Sequence, residues 1–231
     1  GPAGCRVPDP GPDRGDVSAA PSSPAAGSEE FWNERYRSAA AVWSGNPNPH
    51  LVTDAAGLAP GTALDVGAGE GADAIWLAER GWRVTAVDIS GVALQRAAAE
   101  AERHGADVAE RIEWIRADLT TWSPPPDRFE LVSIQFMHLP SAQRTPLFQR
   151  CIEAVAPGGT LLIVGHDESD LQTTIRRPAL PDLYFHAHAL AADLDTRWTI
   201  VEAGTRGRVA HDADGRDVAI HDAVLAARRD G

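Results

Sequence analysis

The 231-residue chain is 43% apolar with a formal net charge of −12, enough to bury one sizeable core with little left for a second domain. That charge would repel a phosphate backbone, and no run of Lys and Arg offsets it, which speaks against nucleic acid as a partner. No stretch approaches the roughly 18 apolar residues of a membrane span and no signal-peptide pattern opens the chain, so a cytoplasmic location is expected.

Residues 1–27 are dominated by Gly, Pro, Ala, Ser and Asp with no apolar period, and are expected to form a disordered tail. Gly1-Pro2, with no initiator Met, is set aside as a remnant of processing or of something longer. One domain is expected over residues 28–231. Within it, strand-like and amphipathic helical runs alternate, the pattern of βαβ units on a parallel sheet. The strands are predicted at 63–66, 83–87, 111–115, 129–134 and 160–165, and the helices between them at 72–80, 92–104 and 141–155. Cys151, in the third of these helices, is expected in the core; with Cys5 it makes neither a disulfide framework nor a zinc spacing. A helix follows at 183–194, and two β-prone runs, 198–203 and 218–227, are separated by Asp212, Asp214 and Gly215 as a hairpin.

The first strand enters Asp65-Val66-Gly67-Ala68-Gly69-Glu70-Gly71. Glycines at a strand-to-helix turn let backbone approach a ligand while helix N–H groups face it. Read as Gly67, Gly69 and Ala72, the turn also satisfies a dinucleotide fingerprint, which keeps a nicotinamide or flavin oxidoreductase as a rival. Asp88 ends the second strand, where a carboxylate can accept from both hydroxyls of an adenosine ribose. Asp118, after the third strand, can accept from an adenine amino group while the backbone at Leu119 meets the ring. A dehydrogenase does not require that acid, and dinucleotide folds usually continue as a second βαβ half where this chain predicts a hairpin. Glu70 and Asp73 are expected as a helix-terminus acid and part of a solvated face.

With Ala117-Asp118-Leu119 and Ala156-Pro157-Gly158-Gly159 added, the chain from about Phe31 to Arg229 resembles the class I S-adenosylmethionine-dependent methyltransferases. Trp32, Tyr36 and Trp43, followed by Ser44-Gly45-Asn46-Pro47-Asn48-Pro49, resemble the thiopurine, thiol and halide methyltransferase group more narrowly; the overall sequence resembles actinobacterial mycothiol-type and tellurite-resistance methyltransferases more than the plant-type halide enzymes. The resemblance implies a Rossmann-like α/β three-layer sandwich, a mostly parallel seven-stranded sheet ending in an antiparallel hairpin. It implies S-adenosylmethionine as cofactor, S-adenosylhomocysteine as product, no metal, and a small-molecule acceptor, expected to be a low-molecular-weight thiol. O- and N-methylation of a small metabolite, or an adenosyl-binding sensor without catalysis, stand as alternatives. The cofactor-binding residues it implies are Trp32, Tyr36, Trp43, Asp65, Gly67, Gly69, Asp88, Ile89, Asp118, Leu119 and Gln135. Trp32 and Tyr36 could equally be helix residues packing on the sheet, whereas Trp43 reads as a lid. Tyr36, where that group commonly has Trp, and Gln135 with Phe136 depart from the plant-type halide pattern.

Ligands on such sheets meet the carboxyl ends of the strands. His138 after the fourth strand and His166, beside Asp167, after the fifth are therefore the candidate catalytic residues. His186 and His188, two apart and unable to share a helical face, are expected at a helix start.

Overall fold

A computed structural model describes residues 23–41 and 45–231. Trp43 and the first 22 residues of the expected tail lie outside the described residues. Among them, strands β1 (Thr62–Val66), β2 (Arg83–Asp88), β3 (Ile112–Arg116), β4 (Phe129–Gln135), β5 (Val155–His166), β6 (Trp198–His211) and β7 (Asp217–Arg229) form one seven-stranded sheet, ordered β3-β2-β1-β4-β5-β7-β6. The first five pair in parallel. β7 runs antiparallel to both β5 and β6.

Helices α1 (Glu29–Arg37), α2 (Pro49–Ala55), α3 (Ala72–Glu79), α4 (Gly91–His104), α5 (Ala106–Glu110), α6 (Ser141–Glu153) and α7 (Ala187–Ala192) complete the elements. The two-residue period of the central strands divides their side chains between two faces. Ala63, Leu131, Leu162, Val164 and Val224 pack with Leu51 of α2, the apolar run of α3 and Val108 of α5. Leu64, Val132, Ile134, Leu161, Ile163 and Leu225 pack with Leu147, Phe148 and Cys151 of α6 and Ala187 of α7. A sheet buried on both faces needs continuous apolar strands, and residues 161–165 of β5 form one. Burial pushes the Cys151 thiol up to about 12, as expected of an inert core residue.

Local chemistry sets the helix ends. Ser28 and Ser90 cap α1 and α4, their hydroxyls accepting Phe31 N–H at 3.2 Å and Ala93 N–H at 3.1 Å. Pro49 opens α2, where its missing N–H costs nothing; that short helix and α5 were not legible as helices in the sequence.

The predicted helix at 183–194 is shorter than expected. Pro181–Leu183 form a 3₁₀ turn, Tyr184 is extended and only Ala187–Ala192 are α-helical. Tertiary packing overrides propensity here: Tyr184 and Phe185 are both buried, and the Tyr184 hydroxyl donates to Pro178 O at 2.6 Å. The Phe185 ring fills the space a side chain at Gly165 would take, 2.7 Å from that position. β6 runs well past its predicted span because charged residues such as Arg206 and Arg208 interrupt the apolar pattern without interrupting the ladder, whereas β7 matches its expected run within two residues.

Candidate active site

The glycine turn sits at the carboxyl end of β1, with Gly67 and Ala68 N–H groups donating to Val87 O at 2.8 and 2.9 Å. Gly67, Gly69 and Gly71 have φ of 75°, 55° and 90°, the left-handed region that favours glycine. Asp88 lies against this turn: Oδ2 accepts Gly69 N–H at 2.9 Å and Oδ1 accepts Ser90 N–H at 2.8 Å. Its carboxylate is thus fixed by backbone donors, which leaves further lone pairs for a ligand.

Asp65 and Asp73 stand beside it. Asp65 is buried and its Oδ2 has no hydrogen-bond partner among the described residues. Burial, then the neighbouring charges of Asp73 and Asp88, push its carboxyl well above the usual range. Asp73 corrects the sequence expectation of a solvated acid. It is 5% exposed and accepts Asn48 N–H at 2.7 Å and Asn48 Nδ2 at 2.8 Å, tying α2 to the first turn of α3. Burial raises its pKa and the Asn48 bonds oppose the rise; Asp88 is raised by burial against the bonds from Ser90, Gly69 and Ile89. Glu70 pairs with Arg96 at 3.4 Å.

Asp118 is exposed beyond β3, where Oδ1 accepts Thr120 N–H at 2.9 Å and the Thr120 hydroxyl at 2.7 Å, with Leu119 buried next to it. Helix α1 is fastened to the same end of the sheet, because Asn33 Oδ1 accepts the Ser90 hydroxyl at 2.6 Å. Tyr36 is buried and Trp32 half-buried, their rings 6.2 Å apart. Both therefore lie on a helix anchored two residues beyond Asp88.

The ends of β4 and β5 bring a second group together. Gln135 donates from Nε2 to Ser133 Oγ at 3.1 Å, while its buried Oε1 has no partner among the described residues. Phe136 has a φ of 55°, uncommon for a bulky residue and costing roughly 1–3 kcal/mol that the surrounding fold must offset. Its ring lies 4.6 Å from that of His166, and the His166 ring stacks on His138 at 4.8 Å with a 5° interplanar angle. His138 donates from Nδ1 to Leu183 O at 3.3 Å, so Nε2 carries the lone pair, and that atom is buried without a partner among the described residues. Burial, then the charge of His166, lowers the His138 pKa to about 4. His186 and His188 fall outside this group, at the cap and second residue of α7.

Sequence reasoning missed Asp222 and His50. Asp222 is fully buried in β7, and its Oδ2 accepts from His50 Nε2 at 2.8 Å and Arg208 Nε at 2.7 Å. Oδ1 lies 3.4 Å from Arg208 Nη2 and 3.6 Å from His166 Nδ1. Burial alone would raise this carboxyl, but His166, His50 and Arg208 together hold it far below the carboxylate range. The available signal was the His221-Asp222 pair inside an otherwise apolar run, Ala219 to Ala227.

A cavity of about 580 Å³ between α6 and α7, bordered by Arg144, Phe148, Leu190 and Trp198, includes neither the glycine turn nor His138 or His166. The strand ends, not this cavity, bring the candidate residues together.

Residues 63–159 match the family model described as Methyltransferase domain. A 2-heptyl-1-hydroxyquinolin-4(1H)-one methyltransferase of Mycobacteroides abscessus is 29% identical over 140 residues, 59% of this chain and 60% of that protein. The chain thus spans less than two thirds of that relative's length. A solved structure concerned with conversion of a disulfide bond into a thioacetal group during echinomycin biosynthesis superposes with a TM-score of 0.67 at 22% identity, covering 87% of this chain and 91% of that one. The N-methyltransferase NodS from Bradyrhizobium japonicum WM9 in complex with S-adenosyl-l-homocysteine superposes at 0.63 with 20% identity, covering 86% and 96%. The strand order with its terminal antiparallel hairpin gives the chain a fold similar to that of these solved structures, and its residues 63–159 match a methyltransferase domain.

Proposed function

We propose that this chain transfers a methyl group from S-adenosylmethionine to a small-molecule nucleophile. The observation that carries this reading is the buried acid group at the glycine turn, above all Asp65 Oδ2, which has no partner among the described residues, beside Asp73 and Asp88. Buried carboxylates with raised pKa values are a site waiting for a cation. A ligand bearing an ammonium and a sulfonium supplies that charge. A dinucleotide pyrophosphate would add negative charge beside three acids, which disfavours the oxidoreductase. The S-adenosyl-l-homocysteine complex of the similarly folded NodS supports the same choice.

In this reading Asp65 faces the amino group of the ligand, Asp88 with Ile89 holds the ribose, and Asp118 with Leu119 meets the adenine. Gly67 and Gly69 give the ligand room, and Trp32, Tyr36 and Trp43 cover it, since aromatic faces attract a sulfonium and exclude water. Gln135 borders the reacting end. When bound, S-adenosylmethionine supplies a methyl already activated for displacement, so the protein's part is orientation and desolvation.

The acceptor is a low-molecular-weight thiol. Support comes from the Trp32, Tyr36 and Trp43 pattern and from the sulfur chemistry of the echinomycin structure. A second reading, O- or N-methylation of a small aromatic metabolite, is favoured by the hydroxyquinolone in the name of the Mycobacteroides relative and by the ring cluster of Phe136, His138 and His166. Transfer from labelled S-adenosylmethionine to a panel of aliphatic thiols, hydroxyquinolones and catechols separates the two, with thioether product expected. Tight NAD binding without any response to S-adenosylhomocysteine would sink both.

A further inference from the structure

Resting on the methyl-transfer reading, we propose that Asp222 is a positioning residue that fixes His166 with Nε2 as the proton acceptor for the methyl acceptor. The geometry on each side of Asp222 points the same way. Oδ2 is engaged by His50 and Arg208 at 2.8 and 2.7 Å, and Oδ1, 3.4 Å from Arg208 Nη2, also lies 3.6 Å from His166 Nδ1, a buried nitrogen with no hydrogen-bond partner among the described residues. An imidazole lone pair cannot face a carboxylate, so Nδ1 carries the hydrogen and the lone pair sits on Nε2. Such bonds are commonly long without substrate and tighten when it binds.

His50 holds the other side: its Nδ1 accepts from Arg206 Nη1 at 3.4 Å, so its Nε2 carries the hydrogen given to Asp222. Arg206 is in turn braced by Asp54 at 3.0 Å and by Glu202. The groups facing this pair are therefore His50 from α2, Arg208 from β6 and, across the ring stack, His138, whose own electrostatic neighbours are Arg177 and Arg144. His138 stays neutral near pH 7, so the proton goes to His166.

In the step, the acceptor's S–H or O–H bond breaks and its proton passes to His166 Nε2. Its electron pair forms the bond to the methyl carbon, and the carbon's bond to the sulfonium breaks with its pair left on sulfur. The imidazolium, held by Asp222, then gives its proton to water.

Long-range ¹H–¹⁵N correlation on the wild-type chain reads the tautomers directly. His166 is expected as Nδ1–H; an Nε2–H form would overturn the proposal without any activity being needed. In kinetics with a simple aliphatic thiol, Asp222→Asn should lower kcat about 10- to 100-fold at pH 7, leave KM for S-adenosylmethionine unchanged, and lose less as pH rises and the thiol ionises in water. On a His166→Gln background it should cost no more than about twofold further, whereas a full additional loss would show a merely structural role. Should calorimetry find no S-adenosylhomocysteine binding in the wild type, the methyl-transfer reading falls while the tautomer still decides Asp222.

Discussion

Asp88 reaches from the end of β2 to accept the backbone N–H of Gly69 at 2.9 Å, closing the glycine turn with the side chain assigned to the ribose. Asp88→Ala should therefore do two things: remove a ligand partner and release the turn. Charge-assisted hydrogen bonds are worth roughly 1.5–3 kcal/mol each. S-adenosylhomocysteine affinity should fall by about 2–4 kcal/mol in calorimetry, and an unchanged Kd would remove Asp88 from the site.

Asp65 should trade stability for binding. Burial, and then the charges of Asp73 and Asp88, raise its pKa in the folded chain. A folded group that holds its proton more tightly than the unfolded one loses stability as pH rises from about 4 through the folded pKa. Asp65→Asn should accordingly raise the ligand-free Tm at pH 7–8, with the gain vanishing near pH 4, while weakening S-adenosylmethionine binding. A Tm that drops at neutral pH contradicts this assignment.

His138 works in the opposite direction. Burial and the charge of His166 hold its pKa at about 4, below the ordinary value of about 6.5. Its contribution to stability is complete above about pH 6.5 and is lost as pH falls toward 4. His138→Asn should lose on the order of 1–3 kcal/mol less than wild type between pH 7 and 4, measured by urea unfolding at each pH. Asp222, with its depressed pKa, adds a separate loss that sets in only below about pH 4.

Gly71→Ala should be costly. Its φ is 90°, and a Cβ there would lie 2.7 Å from the Trp114 ring and 2.8 Å from Ala97 Cβ. Left-handed strain of about 1–2 kcal/mol and overpacking of about 1–3 kcal/mol combine. A Tm loss of about 5–15 °C is expected by calorimetric scan, at roughly 2–4 °C per kcal/mol for a chain of this size.

The parallel strands, the glycine turn and the acid after β2 were legible because each is written in contiguous residues: an apolar run, a glycine spacing, a carboxylate at a strand end. Asp73 was misread because its burial depends on Asn48, 25 residues earlier, crossing to meet it. The link between His50 and Asp222 spans 172 residues and leaves no local trace beyond a polar pair, His221-Asp222, within the apolar middle of β7. Tyr184 and Phe185 sit in a stretch that looked helical, and their burial, Phe185 against Gly165 and Tyr184 through its bond to Pro178 O, holds it out of the helix. Local pattern reports the scaffold; the pairings that tune the histidines come from topology.

The placement of β7 between β5 and β6 has a consequence for the order of assembly. β6 follows β5 in sequence but has no ladder to it, so it can join the sheet only after β7 has been synthesised and inserted between them. A nascent chain extended through β5 already contains the turn from Gly67 to Gly71, Asp88 and both stacked histidines, yet lacks Asp222. The carboxylate beside His166 thus arrives on β7, the last of the seven strands to be synthesised and the one through which β6 is joined to the sheet.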